Sequence, residues 1–176
     1  MNRSIIRWPS AASIAIAMTM LAGCASQPSA PVYTSKEKFR SVSQAREVPR
    51  GSSLGRRLAR TATNMIGVPY VYGGRTPKGF DCSGQVYYSY EQAGIKVPRT
   101  SKEQFKAARR VSLSDAQPGD LLFFRIDRKI SHVAMYIGNG YFVHAPSSGK
   151  AVSVANLNDA YYREHFERAG RLHRGK

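Results

Sequence analysis

The chain has 176 residues and a formal net charge of +16 at pH 7. So strong a positive charge indicates anionic surroundings, which nucleic acid, lipid headgroups or cell-wall polymer would each supply. The basic residues are scattered and match no nucleic-acid-binding motif, so no nucleic-acid partner is expected. A solvated basic surface explains the charge equally well.

The first 24 residues have the layout of a secretory signal. Arg3 and Arg7 form a basic segment, and Ala11–Leu21 forms an apolar segment that is too short to span a bilayer. The run Leu21-Ala22-Gly23-Cys24 resembles the lipobox of bacterial lipoproteins, in which the cysteine is diacylated and becomes the new N-terminus. We therefore predict a signal peptide over residues 1–23 and a lipid anchor at Cys24. The alternative is an ordinary signal peptide with a chance cysteine.

Residues 24–51 are predicted to form a flexible tether that begins at the lipidated cysteine. The segment is rich in Ser, Pro, Gln, Lys and Arg, with few apolar residues and no sustained period. Ala25 rather than Asp follows the cysteine, which by the lipoprotein sorting rule implies the outer membrane, with the protein facing the periplasm. Export also argues against a nucleic-acid partner. The remaining residues 52–176 have the size of one domain with one core.

The first half of this domain is predicted to be helical. Apolar residues at helical spacing, with residues that start or stop helices, predict three helices over about 54–66, 82–93 and 100–108. Asp81 can cap the second helix, and Thr100 with Glu103 forms a capping box for the third.

The second half is predicted to be a sheet. Short apolar or alternating runs, separated by turn residues, predict antiparallel strands over 121–126, 131–137, 141–145 and 151–155. A short helix over 159–166 and an edge strand over 168–172 follow. Helices that precede strands indicate an α+β domain.

Cys82 is the candidate nucleophile. If Cys24 carries lipid, Cys82 has no disulfide partner, and an unpaired thiol in an exported protein suggests that the thiol is used. The alternative is an inert core cysteine. At a helix start, the thiolate of Cys82 would gain from the helix macrodipole and from a nearby imidazolium, which predicts a reactive thiolate.

Two histidines on one predicted hairpin could activate this thiol, His132 as the base and His144 as the group that orients it. A three-residue loop at 138–140 would place the two imidazoles beside each other on one sheet face. A two-residue loop would pair Gly138 with Tyr141 and send the imidazoles to opposite faces. The catalytic interpretation therefore predicts the three-residue loop.

Two further features concern the same site. The backbone N–H of Cys82 can help to stabilise an oxyanion, with a hydroxyl such as that of Tyr70 as a second donor. Two histidines and a cysteine can also bind zinc, but their spacing matches no local metal motif, and neither His165 nor His173 lies in one. No metal or other cofactor is expected.

Six motifs in this domain resemble those of a known family. They are Tyr70-Val71-Tyr72-Gly73-Gly74, Phe80-Asp81-Cys82-Ser83-Gly84, Pro98-Arg99-Thr100-Ser101, Pro118-Gly119-Asp120-Leu121, Ser131-His132-Val133 and Phe142-Val143-His144-Ala145. In this order they resemble the NlpC family of bacterial cell-wall cysteine peptidases, over nearly the whole domain. Within that family, the chain is most similar to short outer-membrane lipoprotein endopeptidases that act on murein.

The resemblance implies a papain-like α+β fold, with helices packed on a central antiparallel β-sheet. It also implies Cys82 as the nucleophile, His132 as the base and His144 as the orienting residue. Tyr70 would place a hydroxyl near the nucleophile.

The resemblance further implies that Asp81 and Ser83 recognise substrate, although a helix-capping role explains Asp81 equally well. The substrate would be peptidoglycan stem peptides or cross-links. Some relatives carry an extra targeting domain, for which this chain has no room, so an open groove suited to cross-linked polymer is expected.

The expected bond is the D-alanyl to meso-diaminopimelyl cross-link, with the γ-D-glutamyl to diaminopimelate bond as the runner-up. The same scaffold could instead belong to a non-catalytic wall-binding lipoprotein or to an acyl-transfer enzyme, because one fold can host several functions. The domain is expected to be a monomer that meets the outer membrane through its lipid anchor.

Overall fold

A computed structural model describes residues 51–126 and 128–173 of the chain. The predicted signal peptide, the lipidation site Cys24 and the predicted tether up to residue 50 lie outside the described residues. Within the described ranges, no helix combines the length and the apolar character that crossing a membrane requires.

Four α-helices are described, and each corresponds to a predicted one. They are α1 (Ser53–Thr63), α2 (Cys82–Glu91), α3 (Ser101–Ala107) and α4 (Ala160–His165). The predicted capping box of α3 is confirmed, since the Thr100 side chain accepts the Glu103 N–H while the Glu103 carboxylate accepts the Thr100 N–H. A 3-10 turn covers Leu113–Asp115.

The strands form a two-stranded hairpin and a six-stranded antiparallel sheet. The hairpin consists of β1 (Arg75–Thr76) and β2 (Gly79–Phe80). The sheet consists of β3 (Arg109–Val111), β4 (Leu121–Ile126), β5 (Lys129–Gly138), β6 (Tyr141–His144), β7 (Ser153–Asn156) and β8 (Phe166–Arg171), in the order β3-β8-β4-β5-β6-β7. The predicted arrangement of helices on a central antiparallel sheet is confirmed.

The last strand does not lie at the sheet edge, where its sequence predicts it. Strand β8 pairs with β4 on one side and with β3 on the other, so β3 is the edge strand. The sequence gives no sign of β3, because it has only three residues and begins with two exposed arginines, Arg109 and Arg110. The two-residue strands β1 and β2 are likewise too short for a period-2 pattern.

The β5–β6 hairpin has a shorter loop than predicted. Gly138 pairs with Tyr141 across a two-residue turn, so the prediction of a three-residue loop is wrong. Both turn residues have positive φ, 53° at Asn139 and 79° at Gly140. A type I′ turn requires this conformation at both positions, and an Asn-Gly pair adopts it readily.

A β-bulge cancels the consequence of the shorter loop. Ile137 is an extra residue in β5, between Gly138, which pairs with Tyr141, and Tyr136, which pairs with Phe142. Met135 pairs with Val143 in the same register. This is the register that a three-residue loop would have produced. His132 and His144 therefore still lie on the same face of the sheet.

The sheet is buried on both faces, which fixes this register. Leu121 and Phe123 of β4 pack on one face, in a core that includes residues of α1 and α2. Leu122 and Phe124 pack on the other face, against Tyr162 of α4. A register slip of one residue would exchange the side chains of the two faces, and neither core, packed around its present side chains, would fit the ones that replaced them.

Candidate active site

Cys82 is the first residue of α2. Asp81 precedes it in an extended conformation, and its Oδ1 accepts the Gly84 N–H at 2.6 Å, which confirms the predicted helix cap. The thiol therefore lies at the first turn of the helix, where free N–H groups and the macrodipole favour negative charge.

The thiol lies against the backbone on both sides of His132. Cys82 Sγ donates to the Ser131 carbonyl oxygen at 3.8 Å, and the Val133 backbone acts on the sulfur through a hydrogen bond that favours the thiolate. Ser131 is the extra residue of a bulge between β4 and β5. A bulged residue is left out of the strand ladder, so its carbonyl is available to the thiol.

The two predicted histidines contact each other directly. His132 Nε2 lies 2.9 Å from His144 Nδ1, and His144 Nε2 lies 3.3 Å from the Tyr162 hydroxyl. Since a hydrogen bond between two imidazoles needs one N–H and one lone pair, the His132–His144 contact couples the tautomers of the two rings. His132 Nδ1 is the nitrogen not used in this contact.

Aromatic rings enclose the histidine pair. Phe124 packs against His132 with ring centroids 5.7 Å apart, while Phe142 and Tyr162 meet His144 edge-on at 5.2 and 5.5 Å. As a result, His132 is 6% exposed and His144 is 2% exposed.

This burial disfavours charge on each member of the site. It lowers the pKa of His132 to about 4, and it also lowers the pKa of His144, on which His132 and Lys150 act in the same direction. Burial raises the pKa of the Cys82 thiol, with the Asp81 carboxylate adding to the effect and backbone N–H groups opposing it. Burial therefore favours the neutral forms of the thiol and of both imidazoles, while the backbone N–H groups at the start of α2 favour the thiolate, and the reactive thiolate expected from the sequence stays a prediction.

Tyr70, the predicted second oxyanion donor, lies on the loop before β1. Its backbone N–H donates to the Lys150 carbonyl at 2.8 Å, and its backbone forms a bridge with Phe80. Burial raises the pKa of its phenol, and the Asp81 carboxylate and the ionised form of Cys82 act in the same direction. The ionised form of Cys82 thus acts electrostatically on the Tyr70 phenol, and the role of Tyr70 as an oxyanion donor stays a prediction.

Arg99 joins the two predicted recognition residues, and sequence reasoning missed it. Its guanidinium donates to both oxygens of Asp81, at 2.9 and 2.7 Å, and to Ser83 Oγ at 3.0 Å. The same group donates to the Gly74 carbonyl at 3.2 Å. Arg99 stands in one of the six motifs, but its partner Asp81 lies 18 residues earlier, which no short-range pattern reveals.

Asp81 is therefore a structural brace as well as a helix cap. Its carboxylate also accepts the Gly73 N–H at 3.0 Å and the Ser83 hydroxyl at 3.1 Å. Burial alone would raise its pKa, but the hydrogen bonds from Arg99 and Gly84 outweigh burial and lower it. The carboxylate thus fixes the loop before β1 to the start of α2, and substrate recognition by Asp81 and Ser83 stays a prediction.

The described residues hold no group of three or more His, Cys, Asp or Glu side chains arranged to bind a metal ion. The histidine pair instead continues to a phenol. Tyr162 lies on α4, 18 residues after His144, and the sequence offers no signal that would have found it.

The NlpC/P60 family model matches residues 67–171, which include every element from β1 to β8. Two curated relatives are the gamma-D-glutamyl-L-lysine dipeptidyl-peptidase of Bacillus subtilis and the murein DD-endopeptidase MepH of Escherichia coli. The first is 34% identical over 73% of this chain and 44% of its own length. The second is 39% identical over 61% of this chain and 42% of its own length. The chain therefore spans less than half the length of either relative.

A solved structure shares the fold. The crystal structure of an NlpC/P60 family protein from Bacillus cereus superimposes with a TM-score of 0.65 and 34% sequence identity. The match covers 73% of this chain and 42% of that protein. Together with the helices and antiparallel sheet described above, this similarity confirms the expected papain-like α+β fold.

Proposed function

The chain belongs to the NlpC/P60 family, and on that premise we propose that it is a cysteine peptidase that hydrolyses peptide bonds in bacterial peptidoglycan. One observation carries the proposal. The Cys82 thiol lies against the backbone that flanks His132, and His132 is hydrogen-bonded to His144 at 2.9 Å. A nucleophile, a base and an orienting group are the parts that covalent acyl transfer requires.

In the first half-reaction, the thiol turns from the Ser131 carbonyl toward His132 Nδ1, which takes its proton. The sulfur of Cys82 then attacks the carbonyl carbon of the substrate, and the resulting oxyanion accepts hydrogen bonds from the Cys82 N–H and the Tyr70 hydroxyl. The His132 imidazolium returns the proton to the leaving nitrogen as the C–N bond breaks. A thioester on Cys82 and a free amine remain.

In the second half-reaction, neutral His132 takes a proton from water, whose oxygen attacks the thioester carbon. Collapse of this intermediate breaks the C–S bond, releases a carboxylic acid and restores the thiol with the proton from His132. The His144 lone pair at Nδ1 accepts the His132 Nε2–H throughout, which keeps Nδ1 of His132 available as the base.

The proposed bond is the D-alanyl to meso-diaminopimelyl cross-link. The name of the Escherichia coli relative, a murein DD-endopeptidase, supports this choice. The name of the Bacillus subtilis relative, a gamma-D-glutamyl-L-lysine dipeptidyl-peptidase, supports the bond after γ-D-glutamate as the second candidate.

Digestion of purified sacculi tests the function and the bond together. The full chain and its Cys82→Ala variant would be incubated with sacculi, and the released and residual peptides identified by mass spectrometry. Loss of cross-linked dimers with a matching gain of monomers, absent in Cys82→Ala, is the expected result. Loss of monomer stem peptides instead would indicate the γ-D-glutamyl bond. Binding to sacculi without any new peptide would refute the enzyme and indicate a wall-binding protein.

We also propose that Cys24 carries a lipid that anchors the protein in the outer membrane, facing the periplasm. The lipobox-like sequence before Cys24 supports this, and two or more acyl chains would anchor the protein stably. Growth with a labelled palmitate analogue should label the protein in the membrane fraction, and Cys24→Ser should abolish the label. A labelled Cys24→Ser variant would contradict this site of attachment.

A further inference from the structure

The hydrogen-bonded series that begins at the catalytic base does not end at His144. The His144 Nε2 atom lies 3.3 Å from the hydroxyl of Tyr162, and the two rings meet edge-on at 83° with centroids 5.5 Å apart. Tyr162 belongs to α4, so the series His132, His144, Tyr162 joins β5, β6 and a helix on the other side of the sheet from α1 and α2.

We propose that Tyr162 is a positioning residue that holds His144 in the one tautomer able to support His132 as a base. The proposal rests on the function proposed above, because it is that reaction which requires His132 Nδ1 to be free of its proton.

The requirement follows from counting hydrogens along the series. To take the thiol proton, His132 must have a lone pair at Nδ1 and a hydrogen at Nε2. His132 Nε2 lies 2.9 Å from His144 Nδ1, so His144 Nδ1 must present a lone pair to that N–H. His144 must then carry its own hydrogen at Nε2. The Tyr162 hydroxyl oxygen lies 3.3 Å from that nitrogen and can accept its hydrogen.

The other tautomer would disable the base. If His144 carried its hydrogen at Nδ1, it would point an N–H at His132 Nε2. That nitrogen of His132 would then have to accept through its lone pair. His132 would hold its own hydrogen at Nδ1 and could not accept the proton of Cys82. In a site where both imidazoles are buried, water cannot readily satisfy an orphaned N–H, and the Tyr162 oxygen is the group placed to accept the Nε2–H that the productive tautomer needs.

The position of Tyr162 is fixed by packing that does not involve its hydroxyl. Its ring packs edge-on against Phe142 at 4.9 Å and against Phe124 at 5.7 Å. Tyr162→Phe therefore keeps the ring contacts and removes only the oxygen. The titratable groups that act on His144 are His132 from β5, Tyr162 from α4 and Lys150 from the segment before β7.

The neighbouring Tyr161 supplies a matched control. It lies on the same helix, is 52% exposed, and stacks on His165 with centroids 4.4 Å apart. Tyr161→Phe removes a hydroxyl from the same helix without touching the histidine pair.

Three readouts on the full chain test the proposal. The first is the rate of Cys82 alkylation by iodoacetamide against pH, quantified on the Cys82 peptide by mass spectrometry so that Cys24 does not interfere. The second is kcat and KM for release of peptides from sacculi. The third is the nitrogen NMR shifts of the His144 ring, which distinguish a protonated from an unprotonated nitrogen.

Tyr162→Phe should slow alkylation at neutral pH and lower kcat by about 3- to 10-fold, the range expected for loss of one hydrogen bond, with KM unchanged. The rising limb of the alkylation profile should move to higher pH, because the His132 imidazolium that forms with the thiolate loses support. The His144 ring should change from one tautomer, protonated at Nε2, to a mixture. Tyr161→Phe should match the wild-type protein in all three.

Two results would overturn the proposal: an unchanged His144 tautomer with rates within about twofold of wild type in Tyr162→Phe, or an equal change in Tyr161→Phe. Failure of the proposed function has a different signature, namely no release of peptides by the wild-type chain. Loss of the His144 tautomer preference in Tyr162→Phe would then still be visible by NMR.

Discussion

Acidification should destabilise this domain through its buried histidine pair. His132 is 6% exposed, and burial lowers its pKa from 6.5 to about 4. In the unfolded chain the same imidazole returns to a pKa of about 6.5. Between these values the unfolded state binds a proton that the folded state does not, so stability falls by about 1.4 kcal/mol for each pH unit of acidification.

The effect of His132 on the free energy of unfolding has a defined pH range and size. The stability that neutral His132 provides is complete above pH 6.5 and is lost as the pH falls toward about 4. Over that interval the loss reaches about 3 kcal/mol, a large part of the stability of a whole domain, which is typically about 5–15 kcal/mol.

Urea unfolding followed by circular dichroism measures this loss. The free energy of unfolding would be compared between about pH 7.5 and about pH 4.5 for the wild-type chain and for His132→Gln, which cannot titrate at this position. The wild-type protein should lose about 2–3 kcal/mol more than the variant over this range. Parallel curves for the two proteins would refute the assignment of a buried, neutral imidazole at His132.

Two further predictions concern a buried ion pair of the sheet and the start of α2. Arg171→Met should cost about 3–5 kcal/mol of unfolding free energy, because Asp120 is fully buried and Arg171 donates to both of its oxygens. Arg125→Met breaks an exposed ion pair and should leave the free energy of unfolding nearly unchanged. Equal costs in urea unfolding would contradict the role of burial. Gly84→Ala should abolish hydrolysis of sacculi, since its Cβ would lie 1.9 Å from the Gly74 carbonyl oxygen and would force the start of α2 from its loop. Wild-type kcat in this variant would show that the packing is not required.

The local features of the fold could be predicted because their causes are local. The caps at Asp81 and Thr100 each depend on a backbone N–H three residues later, so the sequence displays the donor and acceptor together. The strands β4 to β7 could be found from their apolar runs and turn residues, as could the placement of the histidines on one sheet face.

That placement was predicted correctly from a loop length that was wrong. The two-residue turn Asn139-Gly140 alone would have separated the imidazoles, and the bulge at Ile137 restores them to one face. An Asn-Gly pair signals the turn, but a bulge is set by packing on both faces of the sheet, which no window of sequence contains.

The rest of the site depends on contacts between distant residues. Arg99 meets Asp81 and Tyr162 meets His144 across 18 residues each, and the edge strand β3 is defined only by its pairing with β8. The direction in which the pKa of the Cys82 thiol shifts could not be predicted from the sequence either. A helix start favours the thiolate while burial opposes it, and the extent of burial is a property of the folded chain.

The most direct test of Cys82 as the nucleophile is the mass of the protein during turnover. The full chain would be mixed with cross-linked muropeptides, quenched in acid within one turnover, and measured intact and after digestion by mass spectrometry. We expect an added acyl group on the peptide that contains Cys82, with none on Cys82→Ala. Release of peptides by Cys82→Ala at the wild-type rate, with no adduct on either protein, would contradict Cys82 as the nucleophile.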